Sequence, residues 1–499
     1  MTTLIKNGLL YNGTTDAPEK SDVLLQDDRI VRIGSLQKIK ADHIIDATGA
    51  IVCPGFIDVN THSDHYFSIF SDPVQGDFLK NGITTIIGGN CGESLAPFSF
   101  SRKSVSTDWG HSEMSLGNIH WHDTKELFRV LQNKKFGVNF GTLVGYTTIR
   151  NFVTGGAMRD LTDSELELTK DILRDALKDG VFGLSTGFEH AHEEHIPQKE
   201  VFDLIRITGE RGAVYATHIK NFEKQLIPSI QEVLRIAEKT GTKIEISHLI
   251  PAKSYKEEYR EVQKLIEKET AVAHVHFDFP LFLERIVPIH YFLPKWVHDE
   301  TVEKLSVHIV TPHLKKRIIN HISEFNLKNV RIAVAPRYLS SLTGKSLREI
   351  AKNFGMSLGN TLLYLMQISN MTISCAIEDV HKDAIVDFIN SPASIIASAG
   401  ASFSLDEFSS IPRENPFVLL SAFTKKQNIP FERILPKLTS LPAKKYGIER
   451  RGYIGEGYYA DIVVARDGVI SDVFVNGVRG MNEGKLENVF GGRTLRKVK

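Results

Sequence analysis

Short runs of β-branched and other apolar residues, each closing abruptly on a polar residue, recur through the middle of the chain and alternate with stretches of helical periodicity. The clearest are Gly82-Ile83-Thr84-Thr85-Ile86-Ile87-Gly88-Gly89-Asn90-Cys91, Ala213-Val214-Tyr215-Ala216-Thr217-His218 and Lys243-Ile244-Glu245-Ile246-Ser247-His248. Strand-like runs separated by helices predict βαβ units and a parallel sheet. One helix is marked at both ends: Thr162-Asp163-Ser164-Glu165 is a capping box, Leu166, Leu173 and Leu177 recur on one face, and Gly180 stops it. Runs of this kind near 51–59, 83–90, 137–144, 181–186, 213–218, 244–248, 271–278 and 394–398 supply the eight strands of a (β/α)8 barrel.

The ends of the chain have a different texture. Leu9-Leu10-Tyr11-Asn12-Gly13 and Asp22 to Gly34 read as short strands with turns, and so do Tyr459 to Ala465 and Asp472 to Val478. Residues 1–54 and 440–499 are therefore expected to build one small β domain, with the barrel over 55–439. The stretch between the seventh and eighth strand-like runs is too long for one crossover and contains helical pattern from Leu314 to Phe325. An insertion within about 283–345 is expected over the barrel mouth.

Composition narrows the function classes. Lys+Arg and Asp+Glu both number 60 among 499 residues, so no net charge points to nucleic acid or to an anionic membrane surface. No stretch is long and apolar enough for a membrane span, and the N-terminal residues lack a signal-like apolar core. Three cysteines, Cys53, Cys91 and Cys375, argue against a disulfide framework, and a cytoplasmic protein acting on a small molecule is expected. Nothing in the sequence fixes an oligomeric state.

In a parallel barrel the C-terminal strand ends meet at one mouth, so residues distant in sequence converge there. Cys91, His218 and His248 each close such a run, and His62 follows another. One thiolate and two imidazoles suit zinc, and one zinc ion is expected on Cys91, His218 and His248, with His62 as a possible further ligand. Against this stands the plain alternative that each is an ordinary buried or surface residue, since the chain has 19 histidines. The coincidence of three strand ends favours the metal.

The motifs around these residues resemble those of N-acyl-D-amino-acid deacylases (D-aminoacylases) of the amidohydrolase superfamily. The resemblance runs through Pro54-Gly55-Phe56-Ile57-Asp58-Val59-Asn60-Thr61-His62-Ser63-Asp64, Gly89-Asn90-Cys91-Gly92-Glu93-Ser94-Leu95-Ala96-Pro97, Gly183-Leu184-Ser185-Thr186-Gly187, Tyr215-Ala216-Thr217-His218, Ile246-Ser247-His248, Leu438-Thr439-Ser440-Leu441-Pro442-Ala443 and Tyr459-Ala460-Asp461-Ile462-Val463-Val464. It implies a (β/α)8 barrel with a small β domain from both termini, zinc held by Cys91, His218 and His248, and hydrolysis of an N-acyl amino acid or related small amide.

The sequence departs from that family at chemically important positions. The family's His-x-His is Asn60-Thr61-His62 here, which removes one ligand of a second metal position. Its general-base Asp falls on Ala399, in Ile395-Ile396-Ala397-Ser398-Ala399-Gly400, and loss of such a group usually costs about two to four orders of magnitude in rate. The cation that follows the second zinc histidine is missing from His248-Leu249-Ile250, although Lys253 lies near, and Tyr-Pro-Tyr becomes Phe279-Pro280-Leu281. Arg413 is the candidate clamp for a substrate carboxylate. Asp64 and Asn60 are expected to orient the metal ligands.

Substitutes for the missing acid are Asp278, Glu189 and Asp406, with Glu189 in a polar cluster that also contains His190, His192, Glu193, Glu194 and His195. His274 and His276 lie on one face of a strand and are read as structural. Two functions compete: a zinc amidohydrolase using a substitute proton carrier, and a zinc-binding pseudoenzyme or partner subunit. A cyclic amide or carbamoyl substrate is a third reading, disfavoured by the Gly-Asn-Cys-Gly segment.

Overall fold

The computed structural model describes residues 1–98, 119–157, 159–188, 197–222, 224–281, 284–297, 307–402 and 426–498. Its centre is a ring of eight parallel segments: Phe56–Asp58, Ile83–Gly88, Asn139–Thr142 continued by Val144–Gly145, Gly183–Gly187, Val214–His218, Lys243–Ile246, Val275–Phe279 and Ser394–Ile396. The third segment bonds to the second through Leu143 N–H to Gly88 O at 2.9 Å and to the fourth through Phe182 N–H to Thr142 O at 2.9 Å. The last segment returns to the first through Ala399 N–H to Asn60 O at 3.0 Å and His62 N–H to Gly400 O at 2.7 Å. The ring is thus the (β/α)8 barrel, closed through these bonds among the described residues.

Alternation sorts the side chains. Ile57, Val59, Ile87, Leu143, Phe182, Val214, Ala216, Ile395 and Ala397 fill the barrel interior. Ile244, Ile246, Phe277 and Phe279 point outward into the larger core shared with the helices. By the two-residue period, Glu245, His276 and Asp278 must face inward. The helix Lys256–Ala273 ends just before His274, which takes a left-handed conformation, so the strand expected from 271 begins only at Val275. The capped helix expected after Thr162 is present as Asp163–Asp179, with its capping box intact and Gly180 as its C-cap.

The barrel floor is closed by the helix Ser440–Tyr446, whose Ala443 and Tyr446 join the interior cluster. Its Lys445 ammonium donates to Ile244 O at 2.6 Å and His274 O at 2.5 Å, and lies 3.1 Å from His276 Nδ1. Glu245 stands 3.9 Å from the same ammonium.

A nine-stranded sheet draws on both termini, with Ile51–Pro54 paired antiparallel to Ile462–Arg466. The run read as one strand from 51 to 59 is therefore two, broken at Gly55. The first half belongs to this sheet and the second to the barrel. A Cβ on Gly55 would come within 2.2 Å of the Thr84 hydroxyl, so only glycine lets the chain cross between the two layers.

A separate antiparallel sheet joins Arg285–Pro288, Val330–Val334 and Ser374–Ile377 around its own core, which includes Ile318, Leu362 and Cys375. Its exit is pinned to the segment after His248: His381 N–H donates to Pro251 O at 2.8 Å and Lys253 N–H to Asp379 O at 2.7 Å. Among the described residues no helix is long and apolar enough to cross a membrane.

Candidate metal centre

Cys91, His218 and His248 meet at the barrel mouth. Cys91 Sγ lies 3.0 Å from His218 Nε2 and 3.6 Å from His248 Nε2, and the two imidazoles meet edge to face with centroids 4.9 Å apart. One donor atom from each of His62, Cys91 and His248 also falls within 4.8 Å of the others. Cys91 Sγ is thus close to both His218 and His248, and His62, Cys91 and His248 form one group of donors whose spacing could hold an ion. All four side chains are buried or nearly so.

The backbone that presents them is strained. Cys91 and His248 both have φ of 55°, a left-handed conformation that β-carbon sterics disfavour for residues other than glycine. Each is held in place by hydrogen bonds. Ser185 Oγ donates to Gly89 O at 2.6 Å and accepts from Gly92 N–H at 3.1 Å, and the Asp64 carboxylate accepts from Gly89 N–H at 2.6 Å, so the Cys91 turn is gripped from both sides. Gly89 itself has φ of 74°, and a Cβ there would lie 2.2 Å from Leu143 O.

His248 is gripped through Asp278. Asp278 Oδ1 accepts its backbone N–H at 3.0 Å, and Asp278 O accepts Leu249 N–H at 2.9 Å. Asp278 Oδ2 accepts from Asn60 Nδ2 at 3.0 Å. That amide nitrogen is 3.4 Å from His248 Nδ1 and 3.3 Å from Nε2. Near-equal distances to both ring nitrogens place it over the imidazole face, which leaves the in-plane lone pair of Nε2 directed at the cluster. Burial pushes the Asp278 carboxyl above its ordinary range, and it pushes Asp58, which accepts Asn60 N–H at 3.1 Å and Ser398 N–H at 3.0 Å, up to about 7.

Two participants have no counterpart in the sequence reading. His65 packs beside His62 with tilted rings and centroids 4.8 Å apart, faces Glu93 O at 3.3 Å and lies 4.0 Å from Asp64. Burial pulls its imidazole down, but Asp64, Glu93 and Cys91 outweigh that and hold it above the ordinary histidine range. Ser185 lies within a quoted motif, and its inward position in Gly183–Gly187 was the available signal. His276 turns away from the mouth to Lys445, where burial and that ammonium depress it to about 2.

Ala399 sits at the end of the last barrel segment with φ of 54° and brings no titratable group. Arg413, Asp406, Glu189 and the histidines and glutamates of 190–195 lie outside the described residues. Lys253 is committed to Glu378, with its ammonium 3.1 Å from the carbonyl.

Residues 204–480 match the profile of the amidohydrolase family. The chain is 25% identical to a D-aminoacylase of Alcaligenes xylosoxydans xylosoxydans, over 99% of this chain and 97% of that one. It is 25% identical to an N-acyl-D-aspartate deacylase of the same organism, over 94% and 86%. A crystal structure of N-acyl-D-glutamate deacylase from Bordetella bronchiseptica, complexed with zinc and a phosphonate mimic of the tetrahedral intermediate, superposes with a TM-score of 0.81 at 22% identity, covering 99% of each chain.

Proposed function

Because the chain belongs to the amidohydrolase family and aligns with its D-aminoacylase branch over nearly its whole length, we propose that it is a zinc-dependent hydrolase of N-acyl amino acids or closely related small amides. The observation that carries this reading is the approach of Cys91 Sγ to both His218 Nε2 and His248 Nε2 at the barrel mouth. These residues would hold one zinc ion, with His62 beside them. Bound zinc supplies a Lewis acid and an acidified water.

The rest of the chemistry falls to the protein. Asp278 and Asn60 fix the His248 ring, while Asp64 and Ser185 fix the Cys91 turn, so the ligands are set before substrate arrives. Asn60 in place of an imidazole favours one metal over two. N-acyl-D-amino acids are the substrates named for the relatives, and Arg413 is assigned to the substrate carboxylate. Both oxygens of Asp278 already accept hydrogen bonds, which makes it a positioning group.

A second reading is favoured by one observation: Ala399 offers nothing that can carry a proton where the family has its base. On that reading the chain binds zinc and substrate-like ligands without turnover. Zinc content and turnover of a panel of N-acetyl-D- and N-acetyl-L-amino acids, measured on the natural chain and on Ala399→Asp, separate the two. One zinc with turnover in the natural chain establishes the hydrolase. One zinc with turnover only in Ala399→Asp establishes the pseudoenzyme, and absence of zinc removes both.

A further inference from the structure

His248 presents its imidazole from a left-handed backbone, and a residue strained in that way keeps its conformation only while both flanks hold it. The flank toward the barrel is Asp278, which binds His248 N–H through its carboxylate and Leu249 N–H through its carbonyl. The other flank is the irregular stretch from Leu249 to Lys253. Pro251 has no N–H to give, and its carbonyl accepts His381 N–H at 2.8 Å. Lys253 N–H donates to Asp379 O at 2.7 Å, and the Lys253 ammonium donates to Glu378 O at 3.1 Å. The outer end of the His248 segment is therefore held by residues 378–381, where the insertion returns to the barrel.

Those residues are held in turn by an ion pair. Arg285, at the entry of the insertion, donates from one guanidinium nitrogen to Asp379 Oδ2 at 2.6 Å and from the other to Tyr291 Oη at 3.0 Å. Its backbone stands opposite Ile377, so entry and exit are joined both by the strand ladder and by side chains. The contacts close a ring that runs from Asp278 to His248, along the chain to Lys253, across to Asp379 and Arg285, and back along the chain to Asp278. The pair is mostly buried, with side chains 18% and 28% exposed. Such a pair adds little net stability over apolar residues of the same volume, but a planar fork with two fixed acceptors sets relative position sharply.

We propose that Arg285 is a positioning residue of the metal centre: by fixing Asp379 it holds the Leu249–Lys253 segment and keeps His248 turned toward Cys91. The inference rests on the zinc reading above and extends the support of the centre into the insertion. Without the fork the Asp379 carboxylate is released and residues 378–381 shift. His248 then relaxes toward an ordinary backbone conformation, and its Nε2 withdraws from Cys91 Sγ.

The test uses the full-length chain at a temperature where every variant is folded, with zinc dissociation constants from chelator competition. Arg285→Met is expected to weaken zinc binding roughly 3- to 30-fold, the usual range for a substitution that acts through a contact network. Asp379→Ala, which keeps the carbonyl used by Lys253, is expected to do the same. The double variant is expected to be no worse than the weaker-binding single, because the two residues act in series. Arg285→Lys, with the charge but not the fork, is expected to fall between the natural chain and Arg285→Met. With cobalt in place of zinc, the visible d–d bands of Arg285→Met are expected to differ from those of the natural chain, a change in ligand geometry that a merely structural pair would not produce.

A zinc constant within twofold of the natural chain, or an unchanged cobalt spectrum, overturns the proposal while leaving the hydrolase reading intact. Additive losses in the double variant overturn the route through Asp379. If Arg285→Met does not fold, Arg285→Lys and Asp379→Ala decide by the same criteria. A natural chain that binds no zinc removes this inference together with the reading on which it rests.

Discussion

Asp278 divides its two oxygens between the backbone of His248 and the side chain of Asn60, so one substitution there separates positioning from fold. In Asp278→Asn the carbonyl end can still accept His248 N–H, but an NH2 group would then face the NH2 of Asn60. Loss of that tether is expected to weaken zinc binding about 10- to 100-fold, the usual effect of removing a partner that orients a metal ligand. Chelator competition measures it, and a dissociation constant within twofold of the natural chain would remove Asp278 from that role. How much of this was visible in the sequence depends on the kind of residue. Cys91, His218 and His248 could be read because each ends an apolar run, and a parallel barrel gathers such ends. Asp278 also ends a run, but its grip on His248 depends on two strands being neighbours, which no single segment encodes. His65 gave no sign at all, since it follows a strand end in an irregular turn.

The helix Ser440–Tyr446 acts as a unit on the barrel floor, and its buried amine gives the protein a pH dependence. Burial, opposed in part by Glu245, depresses the Lys445 ammonium to about 7, while burial raises Glu245 to about 8. A lysine depressed in the folded state is protonated only when unfolded between about 7 and its ordinary value near 10.4, so its contribution to stability grows as pH rises through that window. Glu245 acts oppositely between its ordinary value near 4.3 and about 8, losing stability as pH rises. Lys445→Met removes the amine and leaves Glu245 without the cation that lowers it, which raises Glu245 further and moves the stability difference in the same direction. The stability difference, from urea unfolding at pH 7 and pH 10, is expected to move in favour of the natural chain at the higher pH. A flat or inverted difference would contradict the assignment. Element boundaries were legible where local chemistry sets them, as at Thr162 and Gly180. They were not at Gly55 and His274, where one apolar run feeds two layers or follows a helix directly.

At the scale of the whole molecule, the C-terminal segment is stitched to the barrel. Phe140 N–H donates to Arg493 O at 2.9 Å, Leu495 N–H to Phe140 O at 2.7 Å, and Lys497 N–H to Gly180 O at 2.8 Å, while Leu495 packs against the interior cluster. Deleting residues 491–499 is expected to lower the thermal midpoint by roughly 2–4 °C, from a loss of a few kcal/mol in hydrogen bonds and apolar burial spread over the unfolding entropy of a chain this long. Calorimetry checks this, and an unchanged midpoint would make the segment dispensable. The pairing of the two termini was readable from their shared strand-and-turn texture, whereas the stitching was not, because the bonds join backbone to backbone irrespective of side chains. The same sheet imposes an order in time. Ile51–Pro54 leaves the ribosome first, and its partner Ile462–Arg466 follows roughly 400 residues later. At about 5–20 residues per second the wait is on the order of 20–80 seconds. During that interval the nascent chain carries an uncovered strand edge, and protection by a chaperone, or by the growing barrel beside it, has to last until Ile462–Arg466 has been made.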